Sequence, residues 1–242
     1  MEDDDEERYS PLSIVVGGLD LGEADRIIRL LSAEKGRYSV VVRRARQSRP
    51  RFPGVFELGN TVRLELRGRG DLPSVSGADL VRVPRRARDD LGRLAHLAYG
   101  AEICAGLAGE HAPAERLYGL LGAWLEIVDG DPAPGGAARI ALEGKALTFA
   151  GFAPRLLKCA RCGEPLVDPV RWSNDEGGGL HSRCGEGKDV DARLLEAIDA
   201  LRRLPLADAV SLPDLCTGLL TDTVEHQLGR ALASRAMIHL AQ

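Results

Sequence analysis

The chain has 242 residues, of which 44% are hydrophobic and only 4% aromatic, so it can bury a core made mainly of Leu, Val, Ile and Ala. Its formal net charge of −4 hides an uneven distribution, because Glu2 to Glu7 (EDDDEE) contributes six acids and the rest of the chain carries +2. No apolar run approaches the ~20 residues that span a bilayer and no basic start leads into an apolar segment, so membrane-spanning and secreted classes are set aside and the chain is expected to be cytoplasmic.

In chain order, residues 1–11 read as an acidic, disordered tail. Its plain role is a solvated end; its sharper one is competition with an acidic ligand for a basic face elsewhere. Residues 12–84 read as a small β-rich unit. SIVVGG (Ser13–Gly18), RYSVVVRRA (Arg37–Ala45) and TVRLELRGRG (Thr61–Gly70) are short runs bounded by Gly, Pro or Asp. Val62, Leu64 and Leu66 alternate with Arg63, Glu65 and Arg67, the period of a half-buried strand. EADRIIRLLSAEKG (Glu23–Gly36) fits either a helical face or a strand ending in a turn. Several short strands in so few residues suggest a small barrel or sandwich.

Residues 85–157 turn helical. Leu91, Leu94, Leu97, Ala98, Ala101 and Leu107 recur at helical spacing, Pro113 to Val128 is a second helix, and Ala137 to Phe152 a third. After residues 158–188, helical period returns over 189–242, where TDTVEHQLGRALASRAMIHLAQ reads as one helix with Thr221 and Thr223 as candidate N-caps. The intervening segment is an insertion in a helical domain.

That insertion holds Cys159 and Cys162 as C-x2-C, with His181 and Cys184 as H-x2-C. Cys3His is a zinc shell, and four protein ligands fill a tetrahedron, which favours structural over catalytic zinc. Gly163 and Gly185 follow the two pairs directly and are expected to supply positive φ for tight turns. Asn174 to Gly179 would reverse the chain so that the halves meet. Cys104 and Cys216 read as buried thiols, and His96, His111, His226 and His239 form no constellation. No phosphate loop, nucleophile elbow or H-E-x-x-H is present.

Lys35 to Phe56 contains no acid. Lys35, Arg37, Arg43, Arg44, Arg46, Arg49 and Arg51 fall within it, with Tyr38 and Phe52 placed either to stack on bases or to fill the core. Arg44 to Arg51 reads as a charged loop leaving a strand, and a phosphate backbone is its natural partner.

Four stretches together resemble the RecO family of bacterial recombination mediators: Gly22–Phe52, Leu147–Gly163, Gly177–Gly185 and Leu228–Ile238, the last with its Ser234-Arg235 pair. The likeness covers nearly everything after the acidic tail. It implies a multidomain α+β fold: an N-terminal OB-fold β-barrel followed by an α-helical domain with an inserted zinc-ribbon-like module. It favours the strand reading of Asp25–Leu31. It also implies binding of single- and double-stranded DNA, annealing of complementary strands, and loading of RecA onto SSB-coated strands together with RecR. No catalytic residue and no small-molecule substrate follow from it. His181 stands where the family often has cysteine, and the acidic tail is no feature of it. A protein-interaction adaptor with incidental DNA contact is the competing reading, and a zinc hydrolase would need an open metal position.

Overall fold

The computed structural model describes residues 8–46, 51–68, 70–215 and 217–240, and of Arg8, Tyr9, His239 and Leu240 only the backbone. The acidic block Glu2–Glu7, Arg49 and Cys216 lie outside the described residues. The chain divides into two compact units, one within Met1–Asp129 with Ser234–Gln242, the other Gly130–Ala233.

The first unit opens with six strands: β1 (Arg8–Tyr9), β2 (Ser13–Leu21), β3 (Asp25–Ser32), β4 (Gly36–Val42), β5 (Thr61–Arg67) and β6 (Ser74–Arg82). β2–β3 and β3–β4 are antiparallel hairpins, β4 meets β6 in parallel at Val41↔Ser74, β6 pairs antiparallel with β5, and β5 returns to β2 at Ser13↔Val62. β2 to β6 thus close a five-stranded barrel with OB topology, and β1 extends the sheet beside β5. Closure removes the open edges that would invite pairing with other chains.

Inward positions alternate along each strand, so Val15, Ile28, Leu30, Val40, Val42, Val62, Leu64, Leu66 and Val75 form one core. In β5 the expected alternation is observed: Val62, Leu64 and Leu66 are buried, Arg63 and Arg67 exposed. The ambiguous Asp25–Ser32 run is strand β3, paired along its whole length with β2 and from Arg26 to Ser32 with β4. Local sequence suited a helix, and two flanking partners decided otherwise.

α1 (Arg86–Asp89), α2 (Leu91–Leu107), α3 (Glu115–Asp129) and α8 (Ala233–Leu240) complete this unit. Asp90 caps α2 by accepting from Arg93 N at 2.8 Å. The expected apolar stripe of α2 is only partly the buried one. Leu91 is exposed, whereas Ala95, Leu97, Tyr99, Ala101, Ile103, Cys104 and Ala105 are buried, because this helix is enclosed on several sides. Leu117, Leu120, Leu121, Trp124, Leu125 and Val128 line the inner face of α3 at the spacing of an amphipathic helix. Trp124 Nε1 donates to His96 O at 2.8 Å, so the largest buried side chain leaves no polar atom stranded.

In the second unit, α4 (Gly136–Phe149) is the central helix, ending three residues before the expected limit at Phe152. Around it lie α5 (Ala192–Arg203), α6 (Leu206–Ala209) and α7 (Leu219–Leu228), and the unit also holds a three-stranded sheet ordered β8-β7-β9 (β7 Val170–Ser173, β8 Gly178–His181, β9 Lys188–Val190).

The single helix expected over Thr221–Gln242 is instead two, α7 and α8. Gly229 adopts φ +64 at the end of α7, and its N–H bonds to the last carbonyls, a left-handed cap that stops a helix. Thr221 and Thr223 are therefore not N-caps. They are buried within α7, where Thr221 Oγ1 donates to Glu143 Oε1 at 3.0 Å and Thr223 Oγ1 to Asn174 Oδ1 at 2.8 Å. Among the described residues no helix is long and apolar enough to cross a membrane.

Candidate metal centre and nucleic-acid interface

The Cys/His cluster is assembled by backbone bonds before any ion is considered. In the first half, Cys159 N donates to Glu164 O at 2.8 Å and Gly163 N to Cys159 O at 2.9 Å, curling the chain around Cys159 and Cys162. Gly163 adopts φ +80, as the tight turn requires. In the second half, β7 and β8 pair from Val170↔His181 to Ser173↔Gly178 around the reversal that Asn174–Gly179 predicts. His181 ends β8, and Cys184 N donates to His181 O at 2.8 Å in the turn that follows. Ala160 N donates to Gly179 O at 2.8 Å and ties the halves together.

Gly185 departs from expectation. It is not among the positive-φ glycines; the near neighbour of a Cβ there would be the Leu180 Cδ1 methyl at 2.9 Å, so backbone angle does not call for a glycine at this turn. The resemblance between the two half-sites is therefore closer in sequence than in conformation.

The donor atoms of Cys159, Cys162, His181 and Cys184 all lie within 4.8 Å of one another and can hold a metal ion. Cys159 and His181 are buried, while Cys162 is exposed. His181 Nδ1 lies 3.4 Å from Cys162 Sγ and 3.9 Å from Cys184 Sγ. Its other nitrogen, Nε2, lies 3.0 Å from Pro165 O. A carbonyl can only accept, so Nε2 carries the proton and Nδ1 presents its lone pair to the sulfurs, the usual arrangement of a ligating imidazole.

Burial opposes ionisation of the Cys159 thiol, but hydrogen bonding from the backbone of Cys162, His181 and Arg161 outweighs it and holds the group down at about 6. The Cys184 thiol is pushed up, by burial first and then by its bonding to Cys159 and Cys162 and their charge. Converging thiols that resist joint ionisation are what a cation at their centre relieves. Among the described residues none of His96, His111 or His226 joins a metal-holding group. Glu164 and Glu176 are exposed, and Glu176 pairs with Arg161.

The basic stretch is distributed over both ends of β4. Lys35 and Arg37 sit at its start. Lys35 Nζ lies 5.5 Å from the Tyr38 ring centre, while Arg37 is half-buried, 3.7 Å from Glu110 Oε2. Arg43, Arg44 and Arg46 form the turn after its end, with Arg44 at φ +58. Arg51 rejoins this end from the following segment, donating to Ser76 O and lying 5.1 Å from the Phe52 ring centre.

Tyr38 belongs to the core. It is 2% exposed, its hydroxyl lies 2.7 Å from Ser13 Oγ, and burial raises its pKa, so it offers no face to a base. Phe52 is half-buried against the barrel core and packs edge-on to Phe56.

Lys35–Phe56 is free of acids along the chain but not in space. The β2–β3 hairpin brings Asp25 Oδ2 to 4.0 Å from Arg43 Nη1 and Asp20 Oδ2 to 3.3 Å from Arg46 Nη1, and Asp25 Oδ1 accepts from Arg44 N at 2.8 Å. The same hairpin adds a basic residue that the stretch omitted, Arg26, opposite Val42 in the register. The Gly22-Glu23-x-Asp25-Arg26 start that carries the family likeness was the available signal for both.

The family models for Recombination protein O N terminal and Recombination protein O C terminal match residues 12–84 and 88–236. The chain is 38% identical over 245 residues to the DNA repair protein RecO of Anaeromyxobacter sp. (strain K), covering 96% of each. It is 34% identical over 239 residues to that of Myxococcus xanthus (strain DK1622), covering 94% of this chain and 96% of the relative. With the RecO protein of Symbiobacterium thermophilum it shares 33% over 203 residues, 81% of this chain and 79% of the other.

Proposed function

Because the chain belongs to the RecO family of DNA repair proteins, we propose that it is a non-catalytic recombination mediator. In this reading it binds single- and double-stranded DNA, anneals complementary strands and, with RecR, loads RecA onto SSB-coated single strands in the cytoplasm. The observation that carries the reading is the group of solvent-facing arginines on one end of the OB barrel: Arg43, Arg44 and Arg46, joined by Arg51. Their guanidinium groups neutralise phosphates and lower the repulsion between two strands brought together. Lys35 and Arg37, on the other end of β4, are assigned weaker contacts, since Arg37 is partly committed to Glu110. Arg49 is retained as a phosphate contact on charge and position in the sequence alone.

We assign zinc to the Cys3His group. A tetrahedral ion with bonds of ~2.3 Å to sulfur and ~2.0 Å to nitrogen holds those atoms ~3.5 Å apart, and the separations of 3.4 and 3.9 Å around His181 Nδ1 bracket that value. Four protein ligands leave no position for a reacting water, so the ion supplies shape rather than chemistry. It fastens the short sheet of β7, β8 and β9 beside the knuckle of Cys159 and Cys162.

The test is equilibrium binding of a single-stranded oligonucleotide at two salt concentrations. Replacing Arg43, Arg44 and Arg46 together with Ala should flatten the slope of log affinity against log salt by ~2, at ~0.7 per neutralised phosphate. Affinity that is indifferent to salt, or that survives the triple replacement unchanged, would sink the proposal.

A further inference from the structure

Beside the arginine turn, the barrel opens into a cleft of about 180 Å³. Ile28 and Val42, both core residues, form its floor, and Phe52 and Phe56 form a wall, their rings 5.8 Å apart and nearly perpendicular. Arg26 and Glu57 supply its polar groups. An apolar cavity of ~150 Å³ accepts benzene, so this cleft has room for one six-membered ring.

The wall is held in place without a ligand. Asn60 Nδ2 donates to Gly54 O at 2.9 Å and to Val55 O at 3.0 Å, and Arg88 Nη2 donates to Asn60 Oδ1 at 2.6 Å. Arg26 is less well served. Its Nε is buried and makes no hydrogen bond among the described residues, standing 3.4 Å from Asp20 Oδ1 outside bonding geometry. The rim is cationic by chain adjacency: Arg43 follows Val42, Arg44 and Arg46 flank Ala45, which also lines the cleft, and Arg51 precedes Phe52.

We propose that this cleft takes a single unstacked base of a single-stranded nucleic acid, with the phosphates on either side resting on the rim arginines. The inference builds on the reading of the barrel as a DNA-binding domain and adds a base-binding subsite to it. A free apolar ligand would gain nothing from the rim, whereas a base arrives with a phosphate on each side. Arg26 can donate to a ring carbonyl and Glu57 can accept from an exocyclic amino group, and cytosine is the smallest base that carries both. A paired base in a duplex cannot enter, so the subsite serves single strands and leaves duplex binding to the arginines.

The experiment compares two strands on the full chain, an oligomer of about 15 deoxycytidines and an abasic phosphodiester of the same length, long enough to cover one OB fold. Both offer the same phosphates. The cytidine strand should bind about tenfold tighter, within the range of base–aromatic stacking. Phe52→Leu together with Phe56→Leu keeps apolar volume in the wall but removes both π faces. The pair should bring the ratio close to one. Equal, salt-dependent binding of both strands by the unaltered protein would overturn the base subsite while the DNA-binding reading stands. Failure of both strands to bind would overturn the two together. A ratio that survives the double replacement would show that the base does not rest on this wall.

Discussion

Replacing Asp20 and Asp25 with Asn should tighten binding to single-stranded DNA. Asp25 lies 4.0 Å from Arg43 and Asp20 3.3 Å from Arg46, and those arginine side chains are 71% and 45% exposed. Ion pairs this open are worth ~0–1 kcal/mol, so a phosphate can engage either guanidinium without first breaking a strong contact. A phosphate on the outer side of the guanidinium would sit ~7 Å from the carboxylate, where two like charges repel by ~0.6 kcal/mol in a water-like dielectric. Each replacement should therefore raise affinity ~3-fold and the pair ~8-fold at low salt, with the gain shrinking once the Debye length falls to ~8 Å at physiological ionic strength. Asn keeps the carbonyl oxygen that accepts from Arg44 N at 2.8 Å, so the turn itself is preserved. The assay is fluorescence anisotropy of a labelled oligonucleotide at about 0.02 M and about 0.15 M salt. Unchanged or weaker binding at low salt, in a variant whose circular dichroism matches the parent, would refute the placement of phosphates at this turn.

Three further outcomes are expected. His181→Ala should lose its metal on mild chelation followed by gel filtration, read by atomic absorption, while His181→Cys should keep it; stoichiometric metal in the Ala variant would remove His181 from the ligand set. The buried Cys104 thiol is pushed up to about 12 by desolvation, so the stability it contributes is complete below the unfolded thiol's ~8.5 and is lost as pH rises toward the folded value. The urea midpoint should accordingly fall more between about pH 8 and about pH 10.5 in the parent than in Cys104→Ala, and parallel declines would contradict this. Deleting Glu2–Glu7 moves the net charge from −4 to +2 and should strengthen oligonucleotide binding at low salt only; equal affinities with and without the block would show that its charge is not felt at the binding face.

Where an element is defined by neighbours in the chain, its sequence sufficed. β5 shows its two faces residue by residue, and the two half-sites of the metal centre announce themselves by ligand type and spacing. Where an element is defined by what packs against it, sequence was ambiguous or misleading. Asp25–Ser32 is a strand because β2 and β4 flank it. Thr221 and Thr223, residue types that favour helix starts, are instead buried in α7 because Glu143 and Asn174 offer them acceptors from elsewhere in the fold. Gly185 shares its place after a ligand pair with Gly163, yet only Gly163 takes the positive φ that the shared pattern suggested.

The charge pattern carries the same lesson into function. A run without acids reads as an unopposed cation, but a barrel pairs strands that the sequence separates, and the β2–β3 hairpin lays Asp20 and Asp25 against the arginines of the following turn. Those aspartates give the free protein partners for its cations, and they weaken its hold on any phosphate that displaces them. The proposed annealing role requires release of the duplex once it is made, and a binding face whose charges are partly answered from within suits that proposed role better than an unopposed one. On this view Asp20 and Asp25 set how readily DNA leaves as much as how it binds, and Asp20→Asn with Asp25→Asn should slow dissociation from duplex while it tightens capture of single strands.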